Sequence, residues 1–190
     1  MEASQEPLFI SVDVETSGPS PSEHSLLSIG ACLVFAPEQR FYVELQPVSD
    51  AYTSEARETT GLDLEKLRER GLPPREAMQQ FADWVARNTP AGRQPLFVAF
   101  NAPFDWMFIA FYFHRHLGHN PFGHKALDIK AYYMGQNHAS WRETNFEHVS
   151  RHVGIHASLP HNALEDAVIQ AGIFRAMLAE QGQRLERNQP

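Results

Sequence analysis

Two short apolar runs near the N-terminus, Leu8 to Val14 and Leu26 to Phe35, are separated by Ser17-Gly18-Pro19-Ser20-Pro21-Ser22. Glycine and proline punctuate the chain there, so the two runs cannot belong to one element. Runs of this length, rich in Val, Ile and Phe, read as strands. Arg40 to Leu45 follows with alternating Phe41, Val43 and Leu45, and Pro37-Glu38-Gln39 makes a short turn before it. The second and third strands therefore form a hairpin. A chain that begins with three successive strands must pair them into a sheet and then find something to cover it.

The remainder supplies the cover. Leu62, Leu64 and Leu67 lie in a short charged segment of helical character. Pro73-Pro74 then introduces a helix over Arg75 to Arg87, with Met78, Phe81, Ala82 and Val85 at helical spacing. Pro95 to Phe100 is a short apolar strand. Pro103 to His116 is a helix apolar nearly all round, and so well buried. Ala126 to Ile129 reads as a strand end, and Thr144 to Val153 as a helix stopped by Gly154. The last helix runs from about Asn162 to Ala179, and Gln181 to Pro190 is a polar, frayed tail. This order predicts an α/β fold: a mixed sheet with three early antiparallel strands, then parallel strands, flanked by helices. One domain over residues 1–180 suits the length of 190 residues.

Composition removes several classes of function. With 43% apolar and 21% charged residues, the chain can bury a core and is not a disordered segment. Its longest apolar run, Trp106 to Phe113, is far short of the roughly 20 residues a membrane helix needs. The first six residues lack the basic and apolar stretches of a secretory signal. Cys32 is the sole cysteine, lies among Ala31, Leu33 and Val34, and reads as a small core residue. These features point to the cytoplasm. The net charge of −7, with only three lysines among the basic residues, gives no broad basic face for a duplex. A local nucleic-acid site is still open to such a chain, because metal ions offset acidic residues.

Asp13-Val14-Glu15 is the first candidate for chemistry. On a strand, residues two apart face the same side, so two carboxylates stand together at the end of an apolar run. With 23 acids in 190 residues, roughly two or three acid-x-acid matches arise by chance. Asp63-Leu64-Glu65 is such a match on a solvated helix. The first pair differs in place, between a buried strand and a Gly-Pro loop, where α/β proteins put their sites. Asp105 falls in the first turn of an apolar helix, where acids also serve the helix dipole. Asn162 is a good N-cap, His161 precedes it in the loop, and Asp166 lies on the first turns of the last helix. A loop histidine can act as a general base. Four carboxylates and one histidine thus gather at element junctions. Hard oxygen ligands suit Mg²⁺ or Mn²⁺, and two such ions about 4 Å apart clamp both oxygens in phosphoryl transfer.

Asp13-Val14-Glu15-Thr16, Asn101-Ala102-Pro103-Phe104-Asp105 and His161-Asn162-Ala163-Leu164-Glu165-Asp166-Ala167 resemble, in order, the three motifs of the DEDDh 3′–5′ exonucleases. These are the DnaQ-like branch of the ribonuclease H-like superfamily. Asn120-Pro121-Phe122 with Leu127-Asp128 further resembles the ribonuclease T branch. The resemblance implies a ribonuclease H-like sheet and a metal-dependent 3′–5′ exonuclease that releases nucleoside 5′-monophosphates from single-stranded RNA or DNA ends. It implies Asp13, Glu15, Asp105 and Asp166 as ligands of two Mg²⁺ or Mn²⁺ ions. Asp13 would bridge both, and Asp105 would act mainly through water. His161 would take the proton from the attacking water. Thr16 would meet the terminal nucleotide. Leu26 or Leu27 would wedge the last base, and Phe122 would stack a base unless it packs on the sheet instead. A homodimer is compatible with the family.

Some residues depart from the pattern. Pro19 follows Gly18 where a ribonuclease T-like chain would place an aromatic, so base preference does not transfer. Lys130 stands where the family often has a small or hydroxyl residue, and Asp128 reads as a helix cap. Two other readings compete. One is a zinc hydrolase built on His148 and His152, which share a helix face, although no Glu follows the first histidine. The other is a catalytically inert nucleic-acid-binding module, which would be expected to have lost site acids.

Overall fold

The structure, a computed structural model, describes residues 6–187, with side chains in the last helix described as far as residue 182. Strands β1 (Leu8–Thr16), β2 (Leu26–Leu33) and β3 (Ala36–Glu44) pair antiparallel in sequence order. Strands β4 (Pro95–Ala99) and β5 (Ala126–Asp128) then add parallel to β1, giving the order β3-β2-β1-β4-β5. This is the mixed sheet that the sequence predicts, three antiparallel strands followed by two parallel ones. Because β1, β4 and β5 run the same way, their C-terminal ends at Thr16, Ala99 and Asp128 share one edge of the sheet.

Strand alternation sorts the side chains into two layers. Ile10, Val12 and Val14 join one core with α3 (Pro74–Asn88) and α4 (Ala102–Leu117). Phe81 sits at its centre, with ring centroids 5.0 Å from Phe41, 5.7 Å from Phe113 and 5.9 Å from Phe122. Truncating a ring so placed costs about 3–5 kcal/mol. Phe9, Cys32 and Val98 face the other layer, against α5 (Ile129–Asn137), α6 (Phe146–His152) and α7 (Ala163–Arg187). Asp13 and Glu15 have the odd numbers of this second layer, so the same alternation that builds the core turns both carboxylates toward α7.

The chain departs from its sequence reading in several places. The hairpin turns at Val34-Phe35, and Leu33 pairs with Ala36 while Cys32 pairs with Arg40. The expected turn residues Pro37, Glu38 and Gln39 are instead the ones left out of register in β3. Two helices were not foreseen: α1 (Ser54–Thr60), polar and burying no residue, and α5, a nine-residue helix that buries Ile129 and Tyr133. The short charged segment is α2 (Leu64–Arg70). The helix expected over Thr144 to Val153 splits at Asn145, whose extended backbone separates a 3₁₀ turn (Trp141–Thr144) from α6. Helix α4 buries one stripe rather than its whole surface, because only one side meets the sheet, and Met107 is 37% exposed. The last helix continues to Arg187 instead of fraying after Ala179. Its Glu, Gln, Leu and Arg residues are good helix formers, and polarity alone does not end a helix. Residues 188–190 of the expected tail lie outside the described residues. Among those described, no helix is long and apolar enough to cross a membrane.

Candidate active site

The site is built where the C-terminal end of β1 meets the start of α7. Asp13 pairs in register with Gly30 of β2. A Cβ at Gly30 would stand 2.1 Å from the carbonyl carbon of Ala163 and 2.2 Å from the nitrogen of Leu164. The missing side chain therefore lets the first turn of α7 rest directly on the sheet. Asn162 caps that turn, its Oδ1 accepting from the backbone N–H of Leu164 (3.1 Å) and of Glu165 (3.2 Å). One turn in, Asp166 comes over Asp13 and Glu15, and a carboxylate oxygen from each lies within 4.8 Å of the others. One turn further, Gln170 donates from Nε2 to Asp13 Oδ1 at 2.6 Å and accepts the Phe100 N–H at 2.9 Å. Gln170 is buried and links β1, the end of β4 and α7.

Asp105 reaches the cluster from the other layer. Asn101 takes a left-handed conformation (φ 68°) between β4 and α4, a turn that asparagine tolerates. Asp105, in the first turn of α4, then accepts the Val14 N–H on Oδ1 at 3.1 Å. Its place is thus more than dipole compensation: it is tied to the strand between the two β1 acids, although it is not part of the converging oxygen triad.

These acids are costly to ionise together. Burial, then the charges of Asp105, Asp166 and Glu15, push Asp13 well above the usual carboxylate range, against the pull of Gln170. Burial and Asp166 push Glu15 up to about 7. Burial lifts Asp105 to about 8 despite its bond from Val14. Burial lifts Asp166 to about 6, with His161 pulling the other way. Asp166 Oδ1 is buried with no hydrogen-bond partner. An orphaned carboxylate oxygen beside two others, all of them hard donors, fits a divalent cation of the Mg²⁺ or Mn²⁺ kind.

A cavity of about 430 Å³ opens over the cluster and is lined by Asp13, Glu15, Asp105, Asp166 and His161. His161 is exposed in the loop ahead of α7, with φ 56°. Thr16 lies on the floor, its hydroxyl donating to the Gly18 carbonyl at 3.0 Å. Pro19, Phe104 and Leu159 make apolar lining. Thr53, Glu55, Ala56, Thr59 and Thr60, at and around α1, form a wall that the sequence reading missed. The Thr53 N–H donates to the Ser17 carbonyl at 3.0 Å and so pins the start of that wall to the end of β1.

Residues 8–178 match the model of the 3′–5′ exoribonuclease Rv2179c-like domain. The chain belongs to this family. It is a 3′–5′ exonuclease. Over 168 residues it is 49% identical to the 3′–5′ DNA exonuclease Cap18 of Escherichia coli, covering 88% of this chain and 90% of that relative. Its fold is similar to the nuclease domain of 3′hExo, a DEDDh family member bound to rAMP. That match has a TM-score of 0.77 at 16% identity, over 93% of this chain and 94% of the other. It is also similar to E. coli Exonuclease I in complex with a dA16 oligonucleotide, with a TM-score of 0.72 at 16% identity. There it covers 94% of this chain but 42% of Exonuclease I. The matching family model is Rv2179c-like, whereas the motifs pointed to the ribonuclease T branch.

Not every expected residue of this exonuclease reaches the cavity. Leu26 and Leu27 are both fully buried at the start of β2, where the Leu26 N–H donates to the Tyr112 hydroxyl at 2.8 Å. Neither lines the cavity, so neither is placed to wedge a base. Phe122 is 4% exposed and packs on Phe81, Phe97 and Phe113, so it is a core ring and not a stacking platform. Asp128 caps α5, accepting the Lys130 N–H at 2.8 Å, as its position suggested. His148 and His152 do share a face, but both meet the Tyr133 ring, and His152 lies 3.6 Å from Glu180. Among the described residues, the converging group of three or more potential metal ligands is Asp13, Glu15 and Asp166, not the histidines of the zinc reading. Gln170 and Gly30 were missed. Their signals were a glutamine four residues after Asp166 and a glycine inside an apolar strand.

Proposed function

We propose that this exonuclease removes nucleoside 5′-monophosphates from the 3′ ends of single-stranded RNA or DNA with two bound Mg²⁺ or Mn²⁺ ions. The observation that carries this reading is the convergence of Asp13, Glu15 and Asp166 within 4.8 Å, with one Asp166 oxygen buried and unpartnered. Asp13, Glu15 and Asp166 would hold the ions, with Asp105 supporting them from the α4 side. When bound, such ions supply Lewis-acid stabilisation of the phosphate charge and of the leaving oxygen.

The protein's own groups do the rest. Gln170 holds the Asp13 carboxylate in one orientation, and the Val14 N–H does the same for Asp105. His161, exposed at the mouth of the cavity, accepts the proton of the attacking water. The water oxygen bonds to phosphorus as the bond from phosphorus to the 3′-oxygen breaks. Thr16 and the hydroxyls of Thr53, Thr59 and Thr60 offer polar contacts for the terminal sugar, and Phe104, Pro19 and Leu159 offer an apolar face for its base. A single strand suits this cavity, because the last nucleotide must leave any duplex to enter it and the acidic chain lacks a duplex grip. The relatives are named for both nucleic acids, one as an exoribonuclease-like domain and one as a DNA exonuclease. An inert binding module is the weaker reading, because all four acids and the histidine are present and grouped.

The test uses 5′-labelled single-stranded RNA and DNA of one sequence, each with Mg²⁺, Mn²⁺ or EDTA, with Asp13→Asn alongside. The expected result is a ladder shortening from the 3′ end that is lost in EDTA and in the variant. Intact strands under every metal would move the assignment to a binding module.

A further inference from the structure

The edge of the sheet that carries the acids continues to β5, where an acid, Asp128, is followed two residues later by a cation. Lys130, one of only three lysines in a chain of net charge −7, is the second residue of α5. Its N–H donates to Asp128, which pairs with Ala99 in the β4–β5 ladder and whose charge is felt by Asp105. Lys130 is therefore anchored at the same edge as the acid cluster. Its Nζ lies 4.3 Å from the centroid of the Trp141 ring, and among the described residues it forms no ion pair.

Trp141 is unusual for its exposure. Trp84 is 7% exposed, whereas Trp141, in the 3₁₀ turn that packs on α5, is 60% exposed. A second line of contacts leads from the cavity to the same place. Phe100 lines the cavity and packs edge-on against Phe146 at 5.4 Å, and Phe146 follows the 3₁₀ turn at the start of α6. An exposed indole with an ammonium free of ion pairs, joined to the cavity through Phe146 and Phe100, has the chemistry of a single-strand platform: a π-face for a base and a cation for a phosphate.

We propose that Lys130 and Trp141 form a subsite for the strand on the 5′ side of the scissile phosphate, the indole stacking on a base and the ammonium meeting a phosphate. This rests on the exonuclease reading for the direction in which the strand lies. The ligand is single-stranded nucleic acid, because stacking requires an unpaired base.

Two substrates separate this subsite from the chemistry. A single-stranded 12-mer has an upstream strand, and the p-nitrophenyl ester of thymidine 5′-monophosphate has none. In Trp141→Ala and Lys130→Gln, the ratio of kcat/KM for the 12-mer to that for the ester should fall about tenfold, the size of one lost stacking or phosphate contact. Lys130→Gln should also flatten the salt dependence of 12-mer binding by roughly one phosphate contact, a change of about 0.7 in slope. In EDTA, where no strand is cut, the 12-mer should quench tryptophan emission in the wild type but not in Trp141→Phe, which keeps a ring in the turn. A wild-type ratio in both variants, with quenching retained in Trp141→Phe, would overturn the subsite and leave the pair as a clip between α5 and the 3₁₀ turn or a contact for a protein. If the wild type cuts neither substrate, the exonuclease reading fails, and the titration in EDTA still decides whether Trp141 meets the strand.

Discussion

Asp13-Val14-Glu15 ends β1, and Asp63-Leu64-Glu65 opens α2. The two triplets have the same acid–apolar–acid pattern. In the strand, the period of two puts both acids on one face, and the start of α7 closes over them. Burial and mutual repulsion then raise all of their ionisation points. In the helix, Asp63 turns back as the N-cap, accepting from Glu65 at 2.9 Å and Lys66 at 3.4 Å, while Glu65 pairs with Arg68 in solvent. Each charge there has a local partner and needs no ion. The pattern alone carries no function; the element it sits on and the layer above it supply one.

The largest test of this contrast is Asp13→Asn. Removing one preorganised charge from a phosphoryl-transfer site should lower kcat by about 10²–10³-fold or more. The same change should raise the melting temperature in EDTA, because it removes one of four crowded acids. Asp63→Asn should leave the exonuclease rate untouched. A wild-type rate in Asp13→Asn on labelled single strands would sink the site assignment.

Gly30→Ala asks whether closeness of α7 is what makes the first triplet different. A methyl group at Gly30 would meet the backbone of Ala163 and Leu164, not a side chain that can turn aside, so α7 must lift. A displacement near 1 Å at a catalytic group costs about 100-fold. The expected outcome is a loss of that order with a folded circular dichroism spectrum. Gln170→Leu is milder, at about tenfold in rate: Asp166 stays, but Asp13 loses its orienting donor and the Phe100 N–H its acceptor. Rescue of rate by Gln170→His, which also carries a ring N–H, would separate orientation from packing.

The pH dependence of the metal-free protein sharpens the comparison further. Unfolded carboxylates ionise near pH 4. In the fold, Asp166 is lifted to about 6, Glu15 to about 7 and Asp105 to about 8. Between these limits the folded protein holds protons that the unfolded chain has released, so stability falls as pH rises. The stabilisation is complete below about pH 4, falls progressively above it, and is gone once the pH has passed the folded values of about 6, 7 and 8. In EDTA, the melting temperature should therefore drop from pH 5 to pH 8.5. With Mn²⁺ or Mg²⁺ present, the metal-induced rise should grow over the same range. Melting curves that are flat with pH would show that the acids are not crowded in solution.

Much of this contrast was legible before the structure. Alternation in β1 is a local property, and so are the Asn162 and Asp128 caps, each set by a few neighbouring residues. What failed was direction at a distance. Leu26 and Leu27 have the right type for a wedge, but type does not say which layer a side chain enters, and both went into the protein. Helix α1 has no apolar period to reveal it, because its job is to wall a cavity and not to fill a core. Gly30 was visible as a glycine in a strand, yet only the register shows that it lies opposite Asp13 and beneath α7.

The smallest expected effect belongs to the second triplet. Asp63→Ala removes the cap of α2, whose two N–H groups then turn to water. Loss of a cap costs about 1 kcal/mol, which for a protein of this length lowers the melting temperature by about 2–4 °C. Because Leu67 is the one residue α2 buries, the helix can fray without opening the main core. The exonuclease rate should stay at the wild-type value at 25 °C, and the pH profile of melting in EDTA should keep its shape, shifted down as a whole. A changed profile would mean that Asp63 shares in the crowding of the first triplet, and the distinction between a paired helix acid and a buried strand acid would no longer hold.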